Sequence, residues 1–136
     1  KFLIEKMNIL QETIVSCVPP FIQFAGIEAI TGSQNQVRKM VNIYEKKRDI
    51  LINELFDKSN NFKLIKPSGS LYAFPDISKT GLNGQKFSDI CLEKLKIGVL
   101  PGKYFGSNGI NCIRICFANS EKNLEIAARK IYNFFK

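Results

Sequence analysis

Residues 112–124 read CIRICFANSEKNL, an apolar run of strand character followed at once by a helix start. Because side chains alternate along a strand, Ile113, Ile115 and Phe117 share one face. That face predicts a sheet with one buried side. The opposite face carries Arg114, whose guanidinium needs either water or a bound anion. Arg114 is therefore a candidate binding residue.

The sequence around this strand predicts a small sheet covered by helices. FKLIKPSGSLYAFPDIS (62–78) has the pattern of two short strands joined at a Pro-Ser-Gly turn, and IGVLPG (97–102) that of a brief third. KFSDICLEKL (86–95) has the apolar spacing of an amphipathic helix, and a last helix begins after Asn119 or Ser120. The expected fold class is α+β, with a sheet of about 3–4 strands.

The first part of the chain has a helical pattern. KFLIEKMNIL (1–10) already shows helical spacing without a capping residue before it, which favours a fragment of a longer chain. VPPFIQFAGIEAITG (18–32) predicts a helix that begins at two prolines and stops at Gly32. A long helix is expected over residues 33–56. Its predicted apolar face comprises Val37, Met40, Val41, Tyr44, Leu51 and Leu55.

Composition and charge are those of an ordinary globular domain. The 136 residues are 45% hydrophobic and 24% charged, and neither a membrane-spanning segment nor an export signal is expected. The net charge of +8 would attract polyanions, but the lysines are scattered. The densest basic run, residues 46–48, is followed by Asp49 on a predicted helix, so a solvated helix face is preferred to a nucleic-acid site.

The four cysteines are accompanied by no histidine, which excludes Ser-His and Cys-His nucleophile pairs within the chain. No C-x-x-C pair indicates zinc, so no metal site is expected. Reduced and mostly buried thiols in a cytoplasmic protein are the prediction. The glycine-rich stretch PGKYFGSNG (101–109) lacks G-x-G-x-x-G spacing, so a tight loop is favoured over an anion-binding loop.

Several of these segments occur together, in order, in one known family. They are PSGSLYAFPDIS (67–78), IGVLPGKYFG (97–106) and IRICFANSEKNL (113–124). This combination resembles the C-terminal segment of the class I/II aminotransferases that depend on pyridoxal 5'-phosphate, the aspartate-aminotransferase-like family of fold type I. Upstream, SCVPPFIQFAGIEAITG (16–32) and VNIYEKKRDILINEL (41–55) resemble the family's Q-x-A stretch and its interdomain helix with the Y-x-x-[RK]-R-D signature.

The resemblance implies an organisation and an activity. Residues 1–32 would be helices of the large cofactor domain, 33–56 the interdomain helix, and 57–136 the small C-terminal domain. The intact protein would be a cytoplasmic homodimer. It would transfer an amino group between an aspartate-like or aromatic amino acid and a 2-oxo acid, with Arg114 binding the substrate α-carboxylate.

The family's Schiff-base lysine and its cofactor contacts lie upstream of the matching segments. The resemblance therefore implies no catalytic and no cofactor-binding residue here, and a fragment that is inactive alone and does not bind pyridoxal phosphate. Ser78-Lys79 has a local likeness to the lysine motif, but it follows the P-x-G strand, where the family has a surface turn. Lys79 is therefore not assigned. Leu71 replaces the usual aromatic residue of that strand, a change expected to affect packing more than chemistry.

Two other functions remain open from the sequence. An aminotransferase-like domain can serve as the effector sensor of a transcriptional regulator, behind a DNA-binding module that would lie upstream. The basic charge also permits a free-standing nucleic-acid-binding module.

Overall fold

Helices alone form the first part of the chain, and the sheet lies wholly in the rest. The computed structural model describes residues 1–136 and separates them into two compact units, Lys1–Arg38 and Lys39–Lys136. Helices combined with a small antiparallel sheet confirm the predicted α+β class. The three domain ranges implied by the resemblance stay predictions.

Two helices, α1 (Phe2–Val15) and α2 (Pro20–Thr31), make up most of the first unit. Pro20 opens α2 and Gly32 ends it, as the sequence predicted. No side chain caps the start of α1, and the side chains of both helices are exposed. Taken singly, no helix is long and apolar enough to cross a membrane; α1 and α2 reach that standard only when counted together, across a bend of 105°.

The long helix begins slightly later than predicted and changes its winding before it ends. α3 covers Asn35–Leu51 and continues as a π-helical turn over Ile52–Phe56. Leu51 and Leu55 are buried, as predicted from their spacing. In the first half of the helix the residues of the predicted apolar face are exposed. These are Val37, Met40 and Val41.

Three short antiparallel strands form the sheet, in the order β1-β3-β2. They are β1 (Tyr72–Ala73), β2 (Leu100–Pro101) and β3 (Ile113–Cys116). The count agrees with the predicted 3–4 strands. β3, which carries Arg114, is the central strand.

One predicted strand is nearly absent. The first half of residues 62–78 forms only a single bridge, between Lys63 and Asp76. Asp76 makes a second bridge to Cys112, so the Lys63 segment is the outermost one at this end.

A single hydrophobic core lies beneath β3. Its inward face, Ile113, Ile115 and Phe117, is buried as the alternation predicted. α4 (Gly84–Ile90) contacts β2 and β3, while α5 (Glu121–Phe135) contacts the π-helical turn that ends α3. The hydrophobic core therefore contains residues from both helices, from the sheet and from the end of α3.

Local capping explains where the last two helices begin. The Asn83 side chain accepts the N–H of Lys86 at 2.9 Å, so α4 starts before the predicted residue 86. It ends in a π-helical turn over Cys91–Leu95. Ser120, one of the two predicted caps, accepts the N–H of Asn123 at the start of α5.

The prediction that the thiols are mostly buried is wrong. All four cysteines are free, as expected, but only Cys91 is buried. Burial raises the pKa of the Cys91 thiol to about 12, so this thiol stays protonated at neutral pH. Cys17 and Cys116 are exposed, because neither faces the core.

Candidate functional site

Arg114 lies in the middle of the central strand, on the face turned away from the core. The register sets Arg114 opposite Leu100 of β2, and Cys116 opposite Tyr72 of β1. Directly opposed residues share a face of an antiparallel pair, so Leu100 and Tyr72 lie on the same side as Arg114. Arg114 is partly buried as a residue, and it lines none of the three main cavities. It therefore belongs to an open face of the sheet.

Two aromatic rings lie against this guanidinium. Its central carbon, Cζ, is 4.3 Å from the ring centroid of Tyr72 and 4.3 Å from that of Phe105. Both distances lie within the range of a favourable cation–π contact. Phe105 is itself packed edge-to-face against Phe74, with centroids 6.0 Å apart. The surroundings of Arg114 are thus aromatic on this face.

No carboxylate of the chain pairs with Arg114. Every ion pair of the structure involves another cation, namely Arg48, Lys58, Lys66 or Arg129. The Arg114 side chain also donates no hydrogen bond within the chain. A guanidinium that has no internal anion and is fixed on a strand can bind an external carboxylate through two parallel N–H···O bonds.

The loop that carries Phe105 is closed by contacts between backbones. Gly102 donates its N–H to the carbonyl of Cys112 at 2.8 Å, and Cys112 donates to the carbonyl of Gly109 at 2.9 Å. Gly102 and Gly109 are both buried. This confirms a tight loop, built of two 3₁₀ turns, Gly102–Phe105 and Ser107–Gly109.

Substitution of Gly102 by alanine is expected to lower the free energy of unfolding by about 1–3 kcal/mol, because the new methyl would overlap occupied space. A Cβ at this position would meet the Gly109 carbonyl oxygen and lie 2.8 Å from Cys112 Cβ. Gly98→Ala is the control, since nothing lies within 4 Å of its added Cβ. Urea unfolding of both variants measures the difference, and equal stabilities would contradict the close approach.

Arg48 is not part of a solvated helix face, so that prediction is wrong for this residue. Its side chain is only 13% exposed and forms ion pairs with Glu45 at 3.0 Å and Asp49 at 2.9 Å. Its Nη1 also donates to the carbonyl of Pro67 at 3.2 Å. The hydrogen bond from Arg48, followed by that from Lys66, holds the pKa of the Asp49 carboxyl below its usual value. Arg48 thereby ties the end of α3 to the loop before β1.

The same loop borders a cavity of about 380 Å³. The cavity lies between α3 and residues 67–71, with Met40, Tyr44 and Phe117 among its apolar walls. Phe117 belongs to the buried face of β3, opposite to the face of Arg114. The cavity and Arg114 are therefore separate features.

The position of Lys79 gives no reason to assign it as a cofactor lysine. Lys79, the local likeness to the lysine motif, is exposed on a single 3₁₀ turn, Ser78–Thr80, and lines none of the three main cavities. The neighbouring Asp76 carboxylate accepts the N–H of Ser78 at 2.7 Å, which keeps its pKa below the usual value. No cluster of residues suitable for a metal ion is present either.

Sequence reasoning singled out Arg114 but missed its two aromatic neighbours. Tyr72 could have been found from strand parity, since pairing of β1 with β3 puts alternate residues of β1 on the face of Arg114. Phe105 could not, because it reaches the guanidinium from a loop whose path depends on the Gly102 contacts. The role of Arg48 was hidden for a similar reason: its partner carbonyl, Pro67, is distant in sequence.

The profile of the family "Aminotransferase class I and II" matches residues 2–131 of this chain. The chain therefore belongs to the class I and II aminotransferases. The aspartate aminotransferase of Pyrococcus horikoshii is 35% identical to it over 131 residues, which are 95% of this chain and 33% of that protein. A probable aspartate/prephenate aminotransferase of Aquifex aeolicus is 37% identical over 127 residues, 90% of this chain and 32% of that protein.

Solved structures agree with this assignment. The crystal structure of an aromatic aminotransferase from Pyrococcus horikoshii OT3 superposes with a TM-score of 0.84 at 31% identity. The match covers 96% of this chain and 35% of that one. This chain thus spans about a third of the length of the relatives it matches.

Proposed function

We propose that this chain is the C-terminal portion of an aminotransferase that moves an amino group between an amino acid, aspartate-like or aromatic, and a 2-oxo acid. In this proposal Arg114 binds the α-carboxylate of the substrate. The observation that carries it is that Arg114 lies on β3, is only partly buried and pairs with no carboxylate of this chain. The relatives described above are aspartate, aromatic and aspartate/prephenate aminotransferases.

Arg114 contributes binding and orientation. A carboxylate held at two oxygens cannot rotate freely, so the remaining bonds of the α-carbon acquire a fixed direction. Placement on a hydrogen-bonded strand lowers the entropy lost on binding, because the backbone is already ordered. The open face of the sheet would be covered in the intact protein, which would exclude water and strengthen the ion pair.

The other parts of the reaction belong to the two thirds of the relatives' length that this chain does not span. Aminotransferases of this family are generally dependent on pyridoxal phosphate. The cofactor supplies the electron sink when bound. We propose that its lysine and its other contacts lie outside these 136 residues, and that the chain alone neither binds it nor catalyses. A homodimer and a cytoplasmic location also stay predictions.

An activity assay tests this proposal. The full-length protein, loaded with pyridoxal phosphate, is mixed with 2-oxoglutarate and with aspartate, tyrosine or phenylalanine in turn. We expect release of the matching 2-oxo acid with at least one donor. The 136-residue chain is expected to give no turnover and no absorbance from protein-bound cofactor under the same conditions.

Two outcomes would contradict the proposal. A full-length protein that binds labelled DNA but transaminates none of the donors would favour the regulator instead. Turnover by the 136-residue chain alone would show that these residues include a catalytic centre of their own.

A further inference from the structure

We propose that Tyr72 and Phe105 are positioning residues that fix the plane of the Arg114 guanidinium, so that only its N–H edge is offered to a carboxylate. This inference rests on the proposed function of Arg114 and extends it to two side chains that touch no reacting atom. The observation is the pair of ring contacts, each 4.3 Å from Cζ to the ring centroid. Each ring belongs to a different element, one to β1 and one to the loop after β2.

An arginine without such neighbours samples many rotamers. Ordering such a side chain on binding costs rotamer entropy. Two rings in contact with the guanidinium restrict that freedom before the substrate arrives. An aromatic ring offers no hydrogen-bond acceptor of the carboxylate kind, so the N–H donors of Arg114 stay available to a carboxylate.

The structure gives each ring its own support. Tyr72 is fixed by the pairing of β1 with β3, and the N–H of Phe117 also binds the carbonyl of Leu71 at 2.9 Å. Phe105 is fixed by its edge-to-face contact with Phe74 and by the glycine contacts of its loop. Neither ring is a core residue: Tyr72 is 39% and Phe105 is 48% exposed. Aromatic side chains with this degree of exposure are available for contacts outside the core.

The contacts with the two rings distinguish arginine from lysine at position 114. A lysine ammonium is a point charge that has no flat face to stack, so it gains no fixed direction from these rings. A leucine in place of either ring keeps apolar bulk but loses the π-face. The predicted consequence is a loss of carboxylate affinity without a loss of the chemical step.

The test measures the kinetics of the full-length, cofactor-loaded protein with its best donor. Phe105→Leu and Tyr72→Leu are each expected to raise KM about 5- to 20-fold, with kcat within about twofold, as expected when uniform binding is lost. Tyr72→Phe keeps the ring and should behave as the parent, since the Tyr72 hydroxyl makes no hydrogen bond here. Tyr104→Leu is the matched control, because Tyr104 is the exposed neighbour of Phe105 and does not contact Arg114.

A double-mutant cycle separates positioning from packing. In an Arg114→Ala background, Phe105→Leu should change KM less than twofold, because no guanidinium is left to orient. A full effect in that background would overturn the inference, as would parent-like KM values for both leucine variants. If the Phe105→Leu variant does not fold, the same double-mutant cycle is measured with Tyr72→Leu.

The same data distinguish this inference from the proposed function on which it rests. If Arg114→Ala leaves KM unchanged, the assignment of Arg114 is wrong and the aromatic rings have nothing to position. If Arg114→Ala raises KM strongly and the leucine variants do not, Arg114 binds the carboxylate without help from the rings.

Discussion

Replacement of Arg114 by alanine is expected to raise the KM for amino-acid substrates of the full-length protein by about two to four orders of magnitude. Two charge-assisted hydrogen bonds are lost, each contributing about 1.5–3 kcal/mol, and about 1.4 kcal/mol corresponds to a factor of ten. Arg114→Lys should recover only part of this loss, because one ammonium cannot reproduce two parallel bonds. Steady-state kinetics with the preferred donor measure both variants.

The cofactor serves as an internal control for that experiment. Its absorbance should be unchanged in both variants, since we place no cofactor contact at Arg114. Arg129→Ala is the matched arginine control: Arg129 is exposed on α5 and pairs with Glu54 at 2.9 Å. KM values equal to the parent's in the Arg114 variants would remove Arg114 from the site.

Phe87→Ala is expected to lower the free energy of unfolding by about 3–5 kcal/mol, the usual cost of deleting a buried ring. Phe87 is fully buried on α4 and contacts two further rings of the core. Its centroid is 4.2 Å from that of Phe135 in a stacked arrangement and 6.0 Å from that of Phe62. Alanine would leave a cavity between α4, α5 and the segment before β1. Urea unfolding of the protein gives the difference.

Phe134→Ala is the control for this core prediction. Phe134 is the neighbour of Phe135 on α5 but is 46% exposed, so its loss should cost about 1 kcal/mol or less. Similar losses of stability in the two variants would mean that the three-ring cluster around Phe87 is not the centre of the core.

Sequence patterns predicted the features that depend on near neighbours. The alternation of Ile113 and Ile115 with Arg114 determines which face of β3 is buried, because successive strand residues point to opposite sides. The caps and stops at Ser120 and Gly32 act within a single helical turn, so their residue types are sufficient to locate them. The family resemblance added the expectation that Arg114 binds a carboxylate, which no spacing could supply and which stays a prediction.

The features that escaped prediction depend on residues distant in the chain. The exposed first half of α3 has apolar spacing typical of a buried helix face, and no local rule indicates which elements cover it. Arg48 was read as solvated because its carbonyl partner, Pro67, belongs to another element. Phe105 reaches Arg114 only because the backbones of Gly102 and Gly109 approach each other closely. Contacts of this kind arise from tertiary packing.

The central claim is most directly tested by a crystal structure of the full-length, cofactor-loaded protein with a bound dicarboxylate such as 2-oxoglutarate. We predict that one carboxylate lies within about 3 Å of two guanidinium nitrogens of Arg114. The Tyr72 and Phe105 rings should remain in contact with that guanidinium. A carboxylate bound at another cation, with Arg114 facing solvent or paired with an acidic residue of the protein, would contradict the account.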